Sequence, residues 1–347
     1  MSLADKLVKN STIHYTAPIL DSQVFDKGDE TKTPVIGVNI ALSARVDGGL
    51  TNGLLCLAGE SKRFKSLFAL LIAASYLKAH PEGVLLFYDS EFGTPKPYFS
   101  MLDIDMSRVI HTPLLDAEEL IVDIMKQLTN LERKDEIIII LDSMGNLASK
   151  KEVEDALKGE TKADYTRAKA FKGLYRMITP HLNLKDIPMI VVNHTYKSIG
   201  SRVPVDIISG GTGIYLSADD IWIIGRRQDK DDDGLHGYEF IINIEKSRSV
   251  KEKSKIPISV NFDKGINRWS GLVDLALEAG ILTKPSNGWY QLVINGKPAG
   301  SKSRLDDIET DDVFWTEVFD NTDFAQWIER KFSLHYEGKR LMSKIPE

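Results

Sequence analysis

From residue 34 onward, short apolar runs alternate with segments whose apolar residues recur every three or four positions. The runs occupy 54–57, 84–88, 109–111, 137–141 and 189–192. Each is nearly continuous, the pattern of a strand buried on both faces. Between them, Phe68, Leu71, Ile72 and Tyr76 fall at helical spacing, as do Leu120, Ile124, Leu128 and Leu131. Asp116 and Glu119 read as a capping box ahead of the second of these helices. Such alternation predicts an α/β fold, a mostly parallel sheet with helices on both faces. After about residue 218 the helical patterns stop. Strands over 221–225 and 238–244 flank a hairpin tip containing Asp231-Asp232-Asp233-Gly234, and 256–262 follows as a third strand. An antiparallel extension on the sheet edge is therefore expected.

Beyond residue 268 the pattern predicts a helix at 272–279 stopped by Gly280, a hairpin turning at Asn295-Gly296, and a last helix at 324–332. Residues 2–10 predict a short amphipathic helix with Leu3, Leu7 and Val8 on one side, and 11–33 a polar linker. The expected division is an N-terminal helix and linker over 1–33, a large α/β core over 34–267, and a small α+β C-terminal domain over 268–347.

Composition narrows this picture. Of 347 residues, one is cysteine, Cys56, which excludes a disulfide framework and a cysteine-built zinc cluster. No apolar run approaches the ~18 residues that a membrane helix needs. The first ten residues mix charged and apolar types, so no signal peptide is expected. A formal charge of −6 argues, taken alone, against a constitutive nucleic-acid binder.

The sharpest local text is the apolar run 54–58 followed by Gly59-Glu60-Ser61-Lys62-Arg63-Phe64-Lys65-Ser66. A strand, a short loop and a helix start, in that order, aim loop amides and a helix N-terminus at an anion. The spacing matches G-x4-G-K-[ST], except that Phe64 replaces the second glycine. Lys65 would contact the β- and γ-phosphates of ATP, and the Ser66 hydroxyl would bind Mg²⁺. The run 137–141 ends in Asp142, placed to hold the metal's water shell. The run 84–88 leads through Asp89 to Glu91, just past a strand end, where α/β ligands bind and where a carboxylate can polarise an attacking water. Each feature also has a plain structural reading, such as a basic loop or an N-cap aspartate. Three in order favour a nucleotide site.

The segments 58–66, 87–93 (Phe-Tyr-Asp-Ser-Glu-Phe-Gly), 141–151, 192–196 (Val-Asn-His-Thr-Tyr) and 245–255 (Glu-Lys-Ser-Arg-Ser-Val-Lys-Glu-Lys-Ser-Lys) resemble the RecA family of recombinases. Within it they are closest to the UvsX type of the T-even phages, whose phosphate loop also has Phe before its Lys. The resemblance is strong over about 34–265. It implies a RecA-like P-loop ATPase core and a DNA-dependent ATPase that forms a helical filament on single-stranded DNA and pairs it with homologous duplex. On that reading Glu91 is the catalytic glutamate and Tyr98 stacks on adenine. His194 stands where the family has a γ-phosphate-sensing Gln. Lys246 and Arg248, which alternation would place on one strand face, reach the neighbouring subunit's ATP.

Two segments, 149–164 and 195–213, lack packing signals and follow Asp142 and His194. Structureless loops of this length are usually functional or disordered. The resemblance makes them DNA-binding loops, with Lys150, Lys151, Lys158 and Lys162 in the first and Tyr196, Lys197, Arg202, Gly210 and Gly211 in the second. Residues 2–10 would pack on an adjacent protomer. Single-strand-binding and mediator proteins are possible further partners, and the host cytoplasm is the expected location. Two alternatives stay open: a RecA-like ring motor or helicase, and a non-catalytic DNA-binding paralogue clipped by ATP. The charge is also segregated. Residues 150–185 hold nine Lys/Arg against five acids, whereas 301–347 hold seven against eleven. An acidic total is therefore compatible with a conditional, salt-sensitive grip on DNA.

Overall fold

The structure, a computed structural model, describes residues 1–24, 28, 30–159, 166–198, 204–231 and 234–334. Its centre is a ten-stranded sheet. The strands are β1 (Gly53–Gly59), β2 (Val84–Asp89), β3 (Val109–Pro113), β4 (Ile137–Asp142), β5 (Pro188–Lys197), β6 (Asp206–Ile208), β7 (Asp220–Asp231), β8 (Gly234–Lys246), β9 (Lys255–Asn261) and β10 (Gly265–Ile266). Their spatial order is β10-β9-β8-β7-β1-β5-β4-β2-β3, with β6 paired to the end of β5. From β7 across to β3 all neighbours are parallel. The β7–β10 extension is antiparallel.

Both faces of the central strands are covered, as near-continuous apolar runs require, but the edge strand β3, expected to be buried, is largely exposed. Every residue of β1 and β4 is buried. Leu55 and Leu57 of β1 point to one face, where they join Phe68, Leu70 and Ile72 of the helix Lys65–Ala79. Leu54, Cys56 and Ala58 point to the other, against Ile124 and Leu128 of the helix Ala117–Asn130 and Phe171, Leu174 and Ile178 of the helix Thr166–Lys185. Each fully buried Leu, Ile or Phe contributes about 1.5–3 kcal/mol. The strand centres are thus anchored from both sides, and their ends are held in fixed register.

Beyond the core, β11 (Leu282–Ser286), β12 (Trp289–Ile294) and β13 (Lys297–Arg304) form a small antiparallel sheet. Asn295 and Gly296 turn between β12 and β13 with φ of 52° and 73°, the left-handed pair that a two-residue hairpin needs. Gly280, at φ 72°, ends the helix Leu272–Glu278. Trp269, Trp315 and Phe324 of this region belong to the same apolar cluster as the core face beneath the helix Lys65–Ala79.

Several expectations need correction. The segment 149–164 is not structureless: Lys150–Leu157 is a helix, started by a full capping box between Ser149 and Glu152. Likewise, β5 runs on through Tyr196 and Lys197 and turns back as β6, so 195–213 begins as a β-hairpin. The strand β8 ends at Lys246, so Arg248 lies past it and strand alternation does not govern where it points. Asp116 caps its helix through the Glu119 amide, but the Glu119 carboxylate reaches Leu115 N instead of returning to Asp116. In the N-terminal segment Leu3–Asn10 is a helix capped by Ser2, with its apolar Leu3 and Leu7 exposed. Among the described residues, no helix is long and apolar enough to cross a membrane.

At the start of β7, burial, aided by nearby Asp219 and opposed by the Ser247 hydrogen bond and the Arg248 charge, pushes the Asp220 carboxyl up to about 7. One of its oxygens is buried without a hydrogen-bond partner. A carboxyl raised on folding binds its proton more tightly in the native state. Stability therefore falls as pH rises from about 4 towards 7. Asp220→Asn, which stays neutral, is expected to flatten that fall and to raise the melting temperature at pH 8 relative to the unaltered chain. Parallel melting curves between pH 5 and 8 for both proteins would contradict this.

Candidate nucleotide-hydrolysis site

The sheet registers bring the polar strand ends together. Gly59 of β1 lies opposite His194 of β5, and Asp89 of β2 opposite Asp142 of β4. A cleft of about 470 Å³ opens there. Its lining includes Ser61, Lys62, Arg63, Phe64, Lys65, Ser66, Glu91, Tyr98 and His194. A polar groove of about 570 Å³ between β7–β9 and the helix Leu305–Thr310 is larger. Two ion pairs lie in it, Arg227–Glu239 at 3.3 Å and Arg268–Asp312 at 3.6 Å.

The loop after β1 leads directly into the helix Lys65–Ala79 despite its missing glycine. Phe64 stands at φ 63°, ψ 14°, immediately before the helix Lys65–Ala79. A left-handed backbone costs a side-chain-bearing residue roughly 1–2 kcal/mol. The Phe64 ring stacks on Phe240 of β8 at 4.8 Å between centroids and meets Phe68 edge-on at 5.4 Å. Such ring pairs give about 0.5–1.5 kcal/mol each beyond buried area. The two effects are of one size, so packing against β8 offsets the strain. Lys65 is buried, and its Nζ donates to Gly59 O at 3.1 Å and Glu60 O at 2.8 Å. Burial lowers its pKa, while Glu91 and Asp142 pull it back up. Arg63 pairs with Glu60.

Glu91 is the hub of the polar groups. Its Oε1 accepts from His194 Nε2 at 2.5 Å and from the Ser143 hydroxyl at 2.7 Å. Since a carboxylate only accepts, Nε2 carries the proton in this contact. The His194 hydrogen bond, opposed by burial and aided by Ser143 and Lys65, holds the Glu91 carboxyl below its ordinary range. It is ionised at neutral pH. Asp142 differs: burial, with Glu91 and Asp89 nearby, pushes it up to about 6, while the Ser66 hydroxyl and Lys65 pull it down. Asp142 Oδ1 is buried with no hydrogen-bond partner. That orphaned oxygen beside the Ser66 hydroxyl fits a magnesium ion. Among the described residues no three His, Cys, Asp or Glu side chains form a metal cage. A cation here would therefore share phosphate oxygens and water with these two residues.

The chain just after the β5–β6 hairpin is tied to His194 and Asn193. Ser209 N donates to His194 O at 2.9 Å, and Asn193 Nδ2 donates to Ser209 O at 3.0 Å. Arg167 Nη2 donates to Gly145 O at 2.6 Å. A side-chain carbon added to Gly145 would lie 2.7 Å from the His194 ring, so only glycine lets the imidazole pack there. Lys150, Lys151, Lys158, Tyr196 and Lys197 are exposed. Lys197 pairs with Asp206 at 2.8 Å. Gly210 and Gly211 adopt φ of 88° and 86°. Lys162 and Arg202 lie outside the described residues.

Lys246 and Arg248 are not in the cleft. Lys246 sits opposite Ile221, which sits opposite Cys56 of β1. That is three residues, about 10 Å, short of Gly59 along the strand. Lys246 Nζ donates to Tyr215 O and Ala218 O at 2.9 and 2.6 Å, and Arg248 Nε pairs with Asp219 at 2.6 Å. Sequence reasoning missed Arg226, Tyr238, Phe240 and Phe262, which form the cleft's far wall. The Arg226 guanidinium lies 4.3 Å over the Tyr238 ring and donates to Lys62 O at 3.2 Å. Tyr-x-Phe on one strand was the available signal.

Comparison with known proteins agrees with this geometry. Residues 269–328 match the family model for the C-terminal domain of the bacteriophage T4 recombination and repair protein. The chain is 44% identical over 337 residues to the recombination and repair protein of Enterobacteria phage T4, covering 96% of this chain and 86% of that one. It is 26% identical over 274 residues to Protein RecA of Kineococcus radiotolerans, 76% of this chain and 75% of that protein. Protein RecA of Bacteroides thetaiotaomicron is 26% identical over 262 residues, 74% and 76% of the two chains. Identity spanning nearly the whole chain, together with the matching C-terminal family model, establishes that this protein belongs to the UvsX family of phage recombination and repair proteins, relatives of RecA.

Proposed function

We propose that the chain is a DNA-dependent ATPase that assembles as a helical filament on single-stranded DNA and pairs it with homologous duplex. The observation that carries this reading is the ionised Glu91 carboxylate, held by His194 and Ser143 beside Lys65. A protein that only clips ATP has no use for a water-orienting carboxylate at that place.

The division of labour follows from the geometry. The loop Gly59–Ser66 and the N-terminus of the helix Lys65–Ala79 cradle the phosphates. Lys65 leaves its carbonyl contacts for the β- and γ-phosphates. Magnesium, when bound, neutralises phosphate charge, and Ser66 and Asp142 are the residues that hold it. Tyr98, on the helix Lys96–Met101, supports the base. A γ-phosphate competes with Glu91 for the His194 Nε2 proton. When it wins, Glu91 is released towards a water, and His194 shifts the base of the β5–β6 hairpin through Ser209. ATP thereby sets the posture of Tyr196, Lys197 and the Gly210-Gly211 turn, and DNA in return favours ATP. Lys150, Lys151 and Lys158 would meet DNA phosphates alongside them. Lys162 and Arg202 belong to the same two segments.

Lys246 and Arg248 lie outside their own cleft, so on this reading they act on the neighbour's phosphates, stabilising charge on the transferred group and tying hydrolysis to assembly. The exposed Leu3 and Leu7 of the N-terminal helix pack on an adjacent protomer. On this reading residues 1–33 are an assembly arm, 34–267 the ATPase core and 268–347 a C-terminal domain. Other replication and repair proteins of the infected cell are natural partners, and the host cytoplasm is the place of action.

ATP turnover is expected to rise several-fold or more on adding single-stranded DNA. Glu91→Gln should lower turnover about 10²–10⁴-fold, the range for a lost general base, while ATP-dependent filaments still form under the electron microscope. Undiminished turnover in this variant would remove Glu91 from the role. For the trans assignment, Arg248→Ala mixed with an excess of Glu91→Gln subunits is the test. Each is defective alone in a different way. Mixed filaments should regain turnover at interfaces where an intact Arg248 faces an intact Glu91. No recovery at any ratio would count against action in trans.

A further inference from the structure

Glu91 is not on β2 but two residues beyond its end, in a segment where Phe92 adopts a left-handed φ of 55°. Something must hold that segment if its carboxylate is to meet His194 and Ser143. The Asp89 carboxylate does so. It is buried, 4% exposed. Its Oδ1 accepts from Glu91 N at 3.1 Å and from Phe92 N at 2.8 Å. Its Oδ2 meets His111 Nε2 at 3.1 Å. His111 comes from the neighbouring strand β3, opposite Phe87, whose ring it faces at 5.7 Å and 28°. The carboxylate is therefore pinned from both sides: two amides on one oxygen and an imidazole, itself fixed by an aromatic face, on the other.

We propose that Asp89 and His111 are a positioning pair for Glu91. The inference rests on the reading of Glu91 as the water-orienting carboxylate. An aspartate that merely closed its own turn would need one oxygen. Here the second is engaged by a ring from another strand, so the rotamer that presents Glu91 is set by β3 as well as β2. Hydrogen bonds to an ionised carboxylate are stronger than neutral ones. The direct phosphate contacts come from β1 and the helix after it, so the pair acts on turnover and leaves nucleotide binding alone.

The test is steady-state ATP hydrolysis on saturating single-stranded DNA with the full chain, for Asp89→Ala, His111→Ala, His111→Gln and Glu91→Gln. Misplacement of a reacting group by about 1 Å can cost 10²-fold. Asp89→Ala is expected to lower kcat about ten- to a hundredfold with KM for ATP within about threefold. His111→Ala should show a smaller drop of the same kind. His111→Gln, which retains a donor, should recover most of it. In the Glu91→Gln background, Asp89→Ala should add no further loss, because the pair works only through Glu91. Unchanged kcat in both alanine variants would overturn the proposal, as would a further additive loss in the double variant. Since Asp89→Ala risks misfolding, His111→Ala with an unaltered melting temperature is the deciding variant. If Glu91→Gln itself turns over normally, the reading of the site fails. If only Glu91→Gln is impaired, the positioning pair alone fails.

Discussion

The contact between the Glu91 carboxylate and the His194 imidazole joins chemistry to everything else in this molecule. It exists because β1, β2, β4 and β5 are locked side by side by apolar residues on both faces, with Gly59 across from His194 and Asp89 across from Asp142. The sheet spends its hydrophobic driving force along the strand centres, and the polar residues appear only where the strands stop. There they have little choice of partner. Glu91 keeps its charge because hydrogen bonds outweigh its partial burial, whereas Asp142, more deeply buried, is pushed up to about 6. One carboxylate is thus settled without a cation and the other is not.

From that contact the sheet carries influence in two directions. Along β5, one strand holds a buried core segment, then His194, then the exposed Tyr196 and Lys197. A change at the imidazole reaches the hairpin within one or two residues, without any long relay. Across β1 to β8, Phe64 stacks on Phe240, and the same strand ends at Lys246, level with Cys56 of β1.

Much of this was legible in the sequence, for physical reasons. A parallel strand buried on both faces reads as an unbroken apolar run, and ligands bind just past its C-terminal end, so Glu91, Asp142 and His194, all within three residues of such an end, stood out. The Asn295-Gly296 turn and the Gly280 stop were likewise plain, because few other residues accept those dihedrals. What failed did so where the signal is non-local or weak. The helix Lys150–Leu157 has only Val153 and Leu157 as large apolar residues, both exposed, so no period announced it; its capping box was there to be read. The strand β6 has three residues, too few for a pattern. Phe64 was visible as a departure from the phosphate-loop spacing, but its compensation by Phe240 depends on a strand far along the chain. Arg226 and Tyr238 look like ordinary residues of a solvated strand until the sheet folds them over the loop.

The central claim is that this site couples ATP to homologous pairing, and joint-molecule formation tests it most directly. Single-stranded DNA coated with the protein would be offered a supercoiled duplex that either contains or lacks the matching sequence. The account predicts D-loops with the matching duplex in the presence of ATP and magnesium, and none with the other duplex or without nucleotide. Equal product with both duplexes, or product independent of nucleotide, would contradict it.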